Sequence, residues 1–410
     1  MHIPRVVPAA VLLASHVAFA QAIPIRQLSE PDARSAASLP RMSEVRELRD
    51  RRVVFTAMLG QTVTLCEADL RSCRAYVDST SLTPGSLPSM RMSLLHFPGD
   101  SIAIVDASAM VLVMLDASGR PGHVVALPHP RDASMLSLSL GGLPRVDPNG
   151  RLVYRARYEP PRILPAPGER YTPPASPDSY PVVRVTFETR AVDTLAVVAA
   201  PGSSKTTSGM SADGKLQIST KVNPLPVVDD WALLSDGTVA IVRGHDYHVD
   251  WVDPDGTRRS TPKMPFDWRR ITDDEKMHII DSVEVLRARM QRMIDSVYAS
   301  GYTGRGAASA PARKESMMAP SELPDYYPPI RLGSVLGDRD GNVWVLPGTS
   351  LSARGGLLYD VVNREGSIVE RVQLPPGCSL VGFGSGGVVY YMQYSTDDKG
   401  THLFRAHIVR

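Results

Sequence analysis

WALLSDGTVAIVRG (residues 231–244), followed by HVDWVDPDGT (residues 248–257), reads as two apolar runs joined by a tight Asp-Gly turn, then a third run with its own Asp-Gly turn. Asp-Gly supplies the positive φ that a hairpin needs, and the flanking Val, Ile, Leu and Trp are strand formers. The same wording returns in SVLGDRDGNVWVLP (residues 334–347) with LLYDVVNREGSIVERV (residues 357–372). Aligned on the first turn, the chain holds six copies. Their turns are Asp50-Arg51, Pro98-Gly99-Asp100, Asp147-Pro148-Asn149-Gly150, Ser235-Asp236-Gly237, Asp338-Arg339-Asp340-Gly341 and Gly384-Ser385-Gly386-Gly387. The first and last copies are the weakest, as terminal repeats often are.

Second turns fall at residues 67–72, 117–119, 188–190, 253–256 and 364–366. Four antiparallel strands per copy and six copies in a row predict an all-β fold, a six-bladed β-propeller, whose radial closure leaves few exposed sheet edges. The last copy lacks a fourth strand, and residues 22–28 are expected to supply it. At 410 residues the chain is long for one ordinary domain, which a repeat fold accommodates. Its 35 prolines and 31 glycines favour turns over long helices.

Loop lengths give the disc a direction. First-to-second and third-to-fourth turns are tight and share one face, whereas residues 128–141, 157–181, 201–226 and 262–329 form long connections on the other. Loops presented by a rigid scaffold carry function, so the long-loop face is the expected functional face. The longest connection holds a helical insertion, residues 267–300, between blades 4 and 5. Thr272 and Glu275 form a capping box, and Ile279, Ile280, Val283, Leu286, Met290, Met293, Ile294 and Val297 recur at helical spacing. A helix over residues 273–298 would run about 39 Å. It is expected to cover the disc or to act as a lid or partner-binding arm. Residues 301–324, whose first part is rich in Gly, Ala, Ser and Pro, are expected to be a flexible tether.

Arg5, an apolar stretch and the small-x-small site Ala18-Phe19-Ala20 predict a signal peptide over residues 1–20, with the propeller filling residues 21–410. The mature chain is therefore expected to be exported, periplasmic or extracellular, with no transmembrane segment and most simply a monomer. With 45 basic against 43 acidic residues, nothing points to nucleic acid. Cys66 and Cys73 flank a turn and are the disulfide candidate; Cys378 is left over, as a small buried hydrophobe.

The densest polar cluster is His245, Asp246, Tyr247, His248 and Asp250, at the second-to-third connection of the fourth copy. Imidazole with carboxylate binds a divalent metal or moves protons, so His245, Asp246 and His248 are metal candidates, though no further ligands are fixed by spacing and no cofactor is firmly implied. The competing reading is a structural network that orders the loop. Asp229 and Asp230 precede the innermost strand of the same blade and are expected near the channel mouth. Arg145, Arg155, Arg157, Arg243 and Arg331 lie on or beside inner strands; facing the axis, such a ring would bind a carboxylate or phosphate, and facing away it would pair with neighbouring acids. Gly382, Gly384 and Gly387 form a G-x-G-x-x-G that is simply the last blade's turn, since no helix follows.

LLSDGTVAIVRGHDYHVDWVDPDG and GDRDGNVWVLP resemble secreted bacterial six-bladed β-propeller proteins of the NHL-like and TolB-like type, over roughly residues 45–410. That resemblance implies binding scaffolds of the cell envelope or calcium-dependent lactonases with ligands drawn from several blades. Two functions are thus expected: an exported, non-catalytic propeller binding a protein, peptide or glycan on its long-loop face, or a metal-assisted hydrolase or lactonase at the channel mouth on that face.

Overall fold

A computed structural model describes residues 22–57, 62–78, 93–107, 109–116, 119–137, 142–157, 177–199, 204–210, 216–299, 313–352, 354–394 and 401–409. Six four-stranded antiparallel blades follow in chain order, each starting from its innermost strand. Blade 1 comprises Met42–Glu47, Val53–Ala57, Thr62–Cys66 and Cys73–Asp78; blade 4 comprises Asp230–Leu233, Val239–Arg243, His248–Val252 and Arg258–Ser260. The innermost strands of blades 2, 3, 5 and 6 are Ser93–His96, Arg145–Val146, Val335–Gly337 and Cys378–Phe383.

The turn chemistry that makes the repeat visible is local. In blade 3, Asp147 Oδ1 accepts hydrogen bonds from the backbone of Asn149 and Arg151 (both 2.9 Å); in blade 5, Asp338 Oδ1 accepts from Asp340 (3.0 Å) and Asn342 (2.8 Å). The aspartate thereby folds the turn, and a glycine at positive φ, Gly150 or Gly341, completes it. Second strands such as Val53–Ala57 are buried on both faces, because each blade is sandwiched between two others. Continuous apolar runs rather than alternation are the result.

The core is divided into wedges, one apolar cluster at each junction. Val54, Leu65 and Ile104 join blades 1 and 2, and Leu112, Tyr154 and Val185 join 2 and 3. Leu195, Trp231 and Ile241 join 3 and 4; Val249, Trp251 and Val343 join 4 and 5; Trp344, Tyr391 and Phe404 join 5 and 6. The sixth junction closes the ring, with Ala33, Leu39, Phe55, Met392 and Leu403 in one cluster.

Closure differs in one respect from the sequence expectation. The fourth strand of blade 6 is Ala33–Arg34, antiparallel to Thr401–His407, and not residues 22–28. Ile25–Gln27 instead runs parallel along the outer edge of blade 5, pairing with Arg371, Val372 and Gln373. Side-chain anchors decide the register: Arg405 donates to Asp32 (2.8 Å), and Ser35 Oγ accepts from the Leu403 backbone (3.1 Å), while Ala33 and Leu39 bury.

A second correction concerns the insertions. Those between blades 3 and 4 and between blades 4 and 5 meet in a separate three-stranded sheet, with Leu216–Val222 flanked by Ser204–Met210 (antiparallel) and Arg313–Met317 (parallel). Its two contributors lie about a hundred residues apart, so no local signal announced it. The segment expected as a tether is thus structured in its second half: after the strand come the turn Pro320–Glu322 and Leu323, 5% exposed. Residues 301–312 and the expected signal peptide lie outside the described residues.

The helix is Asp273–Ala299, with Thr272 Oγ1 accepting from the Glu275 backbone (3.3 Å) and Glu275 Oε2 accepting from the Thr272 backbone (2.9 Å). Ile280 packs on Met318 and Leu323, and Ile279 on Leu225, Ile271 and Tyr327. Among the described residues no helix is long and apolar enough to cross a membrane. Cys66 and Cys73 face each other in register and are disulfide-bonded, with Cα atoms 4.0 Å apart. Cys378 is buried and in no disulfide, its thiol pushed up to about 11 by burial.

Candidate functional site

The polar cluster of blade 4 is built from one hairpin and the strand end before it. Residues 244–247 turn the chain between Val239–Arg243 and His248–Val252, with Tyr247 at φ +52. His248 and Asp250 share one face of the third strand, and Val249 and Trp251 bury on the other, as the alternation predicts. Arg243 links the acids: its Nε donates to Asp250 (2.7 Å) and its Nη1 to Asp229 (2.6 Å) and to the Val197 carbonyl (2.8 Å). His248 lies between Asp246 at Nδ1 (2.7 Å) and Asp250 at Nε2 (3.3 Å), and Lys263 caps Asp246 at 3.2 Å.

Every charged group in this chain of contacts has a partner. Burial alone would raise the Asp250 carboxyl, but hydrogen bonds from Ser260 and Arg243 and the nearby positive charge outweigh it and hold the pKa down. Asp246 is lowered in the same way, its slight burial outweighed by His248 and Lys263. Such a network ties the turn to the strands beside it. Among the described residues no three His, Cys, Asp or Glu side chains are grouped to hold a metal ion.

Three of the expected site residues lie apart from it. His245 is exposed. Tyr247 is fully buried beside Phe266 (ring centroids 5.4 Å apart) and donates its hydroxyl to Asp360 in blade 5 at 2.6 Å. Asp230, also fully buried, is an interblade clamp that accepts from Gly142 N (2.7 Å) before blade 3 and Val335 N (3.0 Å) in blade 5. Burial pushes its carboxyl up to about 7 despite those backbone donors. Gly142 is required there: at φ +64 it leaves no space for a Cβ, which would sit 2.2 Å from the Trp231 ring.

A different place gathers side chains around open space. A cavity of about 620 Å³ occupies the central channel and is lined by all six blades. Its wall uses the last residues of the innermost strands and the first turns, including Pro98, Pro148, Ser235, Asp340 and Gly386, so it opens on the tight-turn face. The channel-mouth site expected from the sequence lies on the other, long-loop face. Innermost strands all run toward the tight turns, so the longest side chains near their ends reach the axis there.

Four basic side chains line this cavity: Arg46, Arg49, Arg145 and Arg339, with His96 beside them. Arg145 pairs with Glu44 of blade 1. Arg339 reaches across blade 6, its Nη1 donating to Ser385 Oγ (3.1 Å) and its Nη2 to the Glu47 carbonyl. Glu47 is itself committed, accepting from Ser385 N (2.9 Å) and the Tyr390 hydroxyl (2.7 Å). Arg46 has no hydrogen-bond or ion-pair partner among the described residues. Burial first, then the charges of Arg145 and Arg339, push its pKa down to about 10 against Glu44 and Asp100. His96 is 8% exposed with Nδ1 unpartnered, and burial together with the same three arginines holds its pKa well below the usual imidazole value.

Of the arginines singled out from sequence, only Arg145 lines the cavity. Arg155 stacks over the Tyr180 ring at 4.4 Å, Arg243 belongs to the closed network, and Arg157 and Arg331 are exposed. Sequence reasoning missed Arg46, His96 and Arg339. A signal was present: each lies in or within four residues of its blade's first turn, so aligning those turns places them on one ring.

No family model matches the chain, and no curated protein matches it. Solved structures similar to it include a calcium-binding protein, regucalcin, from Agrobacterium tumefaciens (12% identity, 94% of this chain and 95% of that one, TM-score 0.42). A gluconolactonase from Xanthomonas campestris (12%, 92% and 88%, TM-score 0.40) and TolB from Acinetobacter baumannii (11%, 86% and 62%, TM-score 0.33) are similar at the same level. The fold stands on this chain's own strand order.

Proposed function

We propose that the chain is an exported, non-catalytic propeller that binds a protein partner on its long-loop face, with the Asp273–Ala299 helix as the engaging arm. One observation carries this reading: the apolar stripe of the helix outruns the body it packs on. Ile280 is 8% exposed against Met318 and Leu323, yet Leu286, on the same stripe, is 56% exposed and neighbouring Val285 is 68% exposed. An amphipathic helix that presents apolar side chains suits an apolar groove on a protein better than the polar surface of a glycan. Support for the non-catalytic part comes from the paired state of the blade 4 carboxylates, and for export from the Cys66–Cys73 bond.

The test is site-specific photo-crosslinking in envelope extract. A crosslinker at Val285 should give a discrete adduct that Leu286→Glu abolishes without lowering the melting temperature, while one at Glu365, on the tight-turn face, gives none. Identical adducts from both positions, or no effect of Leu286→Glu, would remove the helix from the function.

A further inference from the structure

The opposite face carries the channel cavity, which the partner-binding reading does not use. Most acids around this cavity are already paired, and not all of its cations are. Four acids line it: Glu44, Asp147, Asp338 and Asp340. Glu44 is taken by Arg145, and Asp147 by Arg151 (2.8 Å) and Arg184 (3.6 Å). Asp338 spends its oxygens on its own turn and on Trp344 Nε1 (3.0 Å). Asp340 sits exposed at the tip of that turn.

The cations are not balanced in the same way. Among the described residues Arg46 has no hydrogen-bond or ion-pair partner, and Arg339 donates to a hydroxyl and a carbonyl but to no carboxylate. Both line the same cavity as Arg145, whose charge bears on Arg46. His96, from a fourth blade, adds a buried ring whose Nδ1 finds nothing to bond. A guanidinium held half-buried among like charges costs stability, and a buried polar atom without a partner costs about 1–3 kcal/mol. A cavity of this size, within the roughly 300–1,000 Å³ typical of ligand sites, leaves room for the absent partner.

We propose that the tight-turn mouth of the channel binds a small ligand through a carboxylate or phosphate head, held by Arg46 and Arg339 with Arg145 and His96 completing the pocket. A guanidinium presents paired N–H donors that match an oxyanion's two oxygens, which lysine does not reproduce. A neutral His96 adds a single donor whose position is set by its strand end. The rim residue Arg49 and the open mouth let a larger body remain outside while the head enters.

Two probes distinguish the head groups: sodium citrate and sodium pyrophosphate, each titrated calorimetrically into the full mature chain at ionic strength held constant with sodium chloride. At least one should bind saturably with one site per chain and raise the melting temperature. Arg46→Gln and Arg339→Gln should each weaken that binding about tenfold or more, with Arg46→Lys recovering only part of the loss. Citrate alone identifies a carboxylate head, pyrophosphate alone a phosphate head. Absence of saturable binding by either probe, or a loss of less than threefold in both glutamine variants while the chain stays folded, would overturn the assignment. Crosslinking at Val285 is unaffected by these variants, so the two proposals stand or fall separately.

Discussion

Two polar clusters in this molecule look alike in composition and differ in closure. The one around Arg243 draws its residues mainly from a single hairpin, and each of Asp229, Asp246, Asp250 and His248 is within bonding distance of an opposite or complementary group. The one around Arg46 draws on blades 1, 2, 3 and 5 and leaves Arg46 and His96 Nδ1 without partners among the described residues. Residues adjacent in sequence satisfy one another because short strands and turns bring them within reach at little entropic cost. Groups assembled from distant blades meet only when the ring closes, and here two of them stay without partners among the described residues. Density of polar residues along the chain therefore marked the closed cluster, and lack of partners in space marks the open one.

The largest effect should come from outside both clusters, at the interblade clamp that shows what a fully satisfied buried acid contributes. Asp230→Ala orphans the backbone N–H groups of Gly142 and Val335 at the junction of three blades, and urea unfolding should register a loss of about 3–5 kcal/mol. The same aspartate gives a pH signature. Its carboxyl titrates near 3.8 when unfolded and is raised to about 7 in the fold, so between those values the folded state holds the proton that the unfolded state has released. Its contribution to stability is accordingly greatest below about pH 4 and declines as pH rises toward and through about 7; the uncharged Asp230→Asn should flatten that slope.

Arg243→Met comes next. It leaves Asp229, 8% exposed, and Asp250 without their cation, for an expected loss of about 2–3 kcal/mol after allowing for the partial exposure of the pair. The matching substitution on the open side sharpens the contrast by its sign. Arg46→Met removes an unpartnered charge repelled by Arg145 and Arg339 and should be neutral or stabilising by about 1 kcal/mol. Similar destabilisation by both variants would erase the distinction between the clusters.

The smallest effects fall at the edges of the closed network. Because Asp246 and Asp250 titrate below their ordinary values, what they contribute is present above about pH 4 and is lost as pH falls through their depressed pKa values. This acid limb should shrink in Asp250→Asn. His245→Ala, at an exposed position, should change stability by less than about 0.5 kcal/mol.

Much of the architecture was legible because it is repeated locally. Asp-Gly turns, β-branched strands and a capping box each act within a few residues, and they announced six blades, the direction of the disc, the helix and the facing of Cys66 and Cys73. The closing strand was misplaced by several residues, since its choice rests on Arg405 and Leu403, more than 360 positions away. The insertion sheet was missed for the same reason: Leu216–Val222 and Arg313–Met317 pair in parallel only once a helix has carried the chain back.

By itself, the sequence determined the period, the turns and therefore the blades, because hairpin conformation depends on a handful of adjacent residues. It also determined which residues could be charged, and where along each blade. Only the tertiary structure decided which of those charges meet. Closing the ring brings strand ends from separate blades to one axis, so that Arg46, His96, Arg145 and Arg339 share a cavity, while Arg243 meets its two acids within its own blade. Partnering is a property of distances across the ring, and distances across the ring are fixed only when the last blade meets the first.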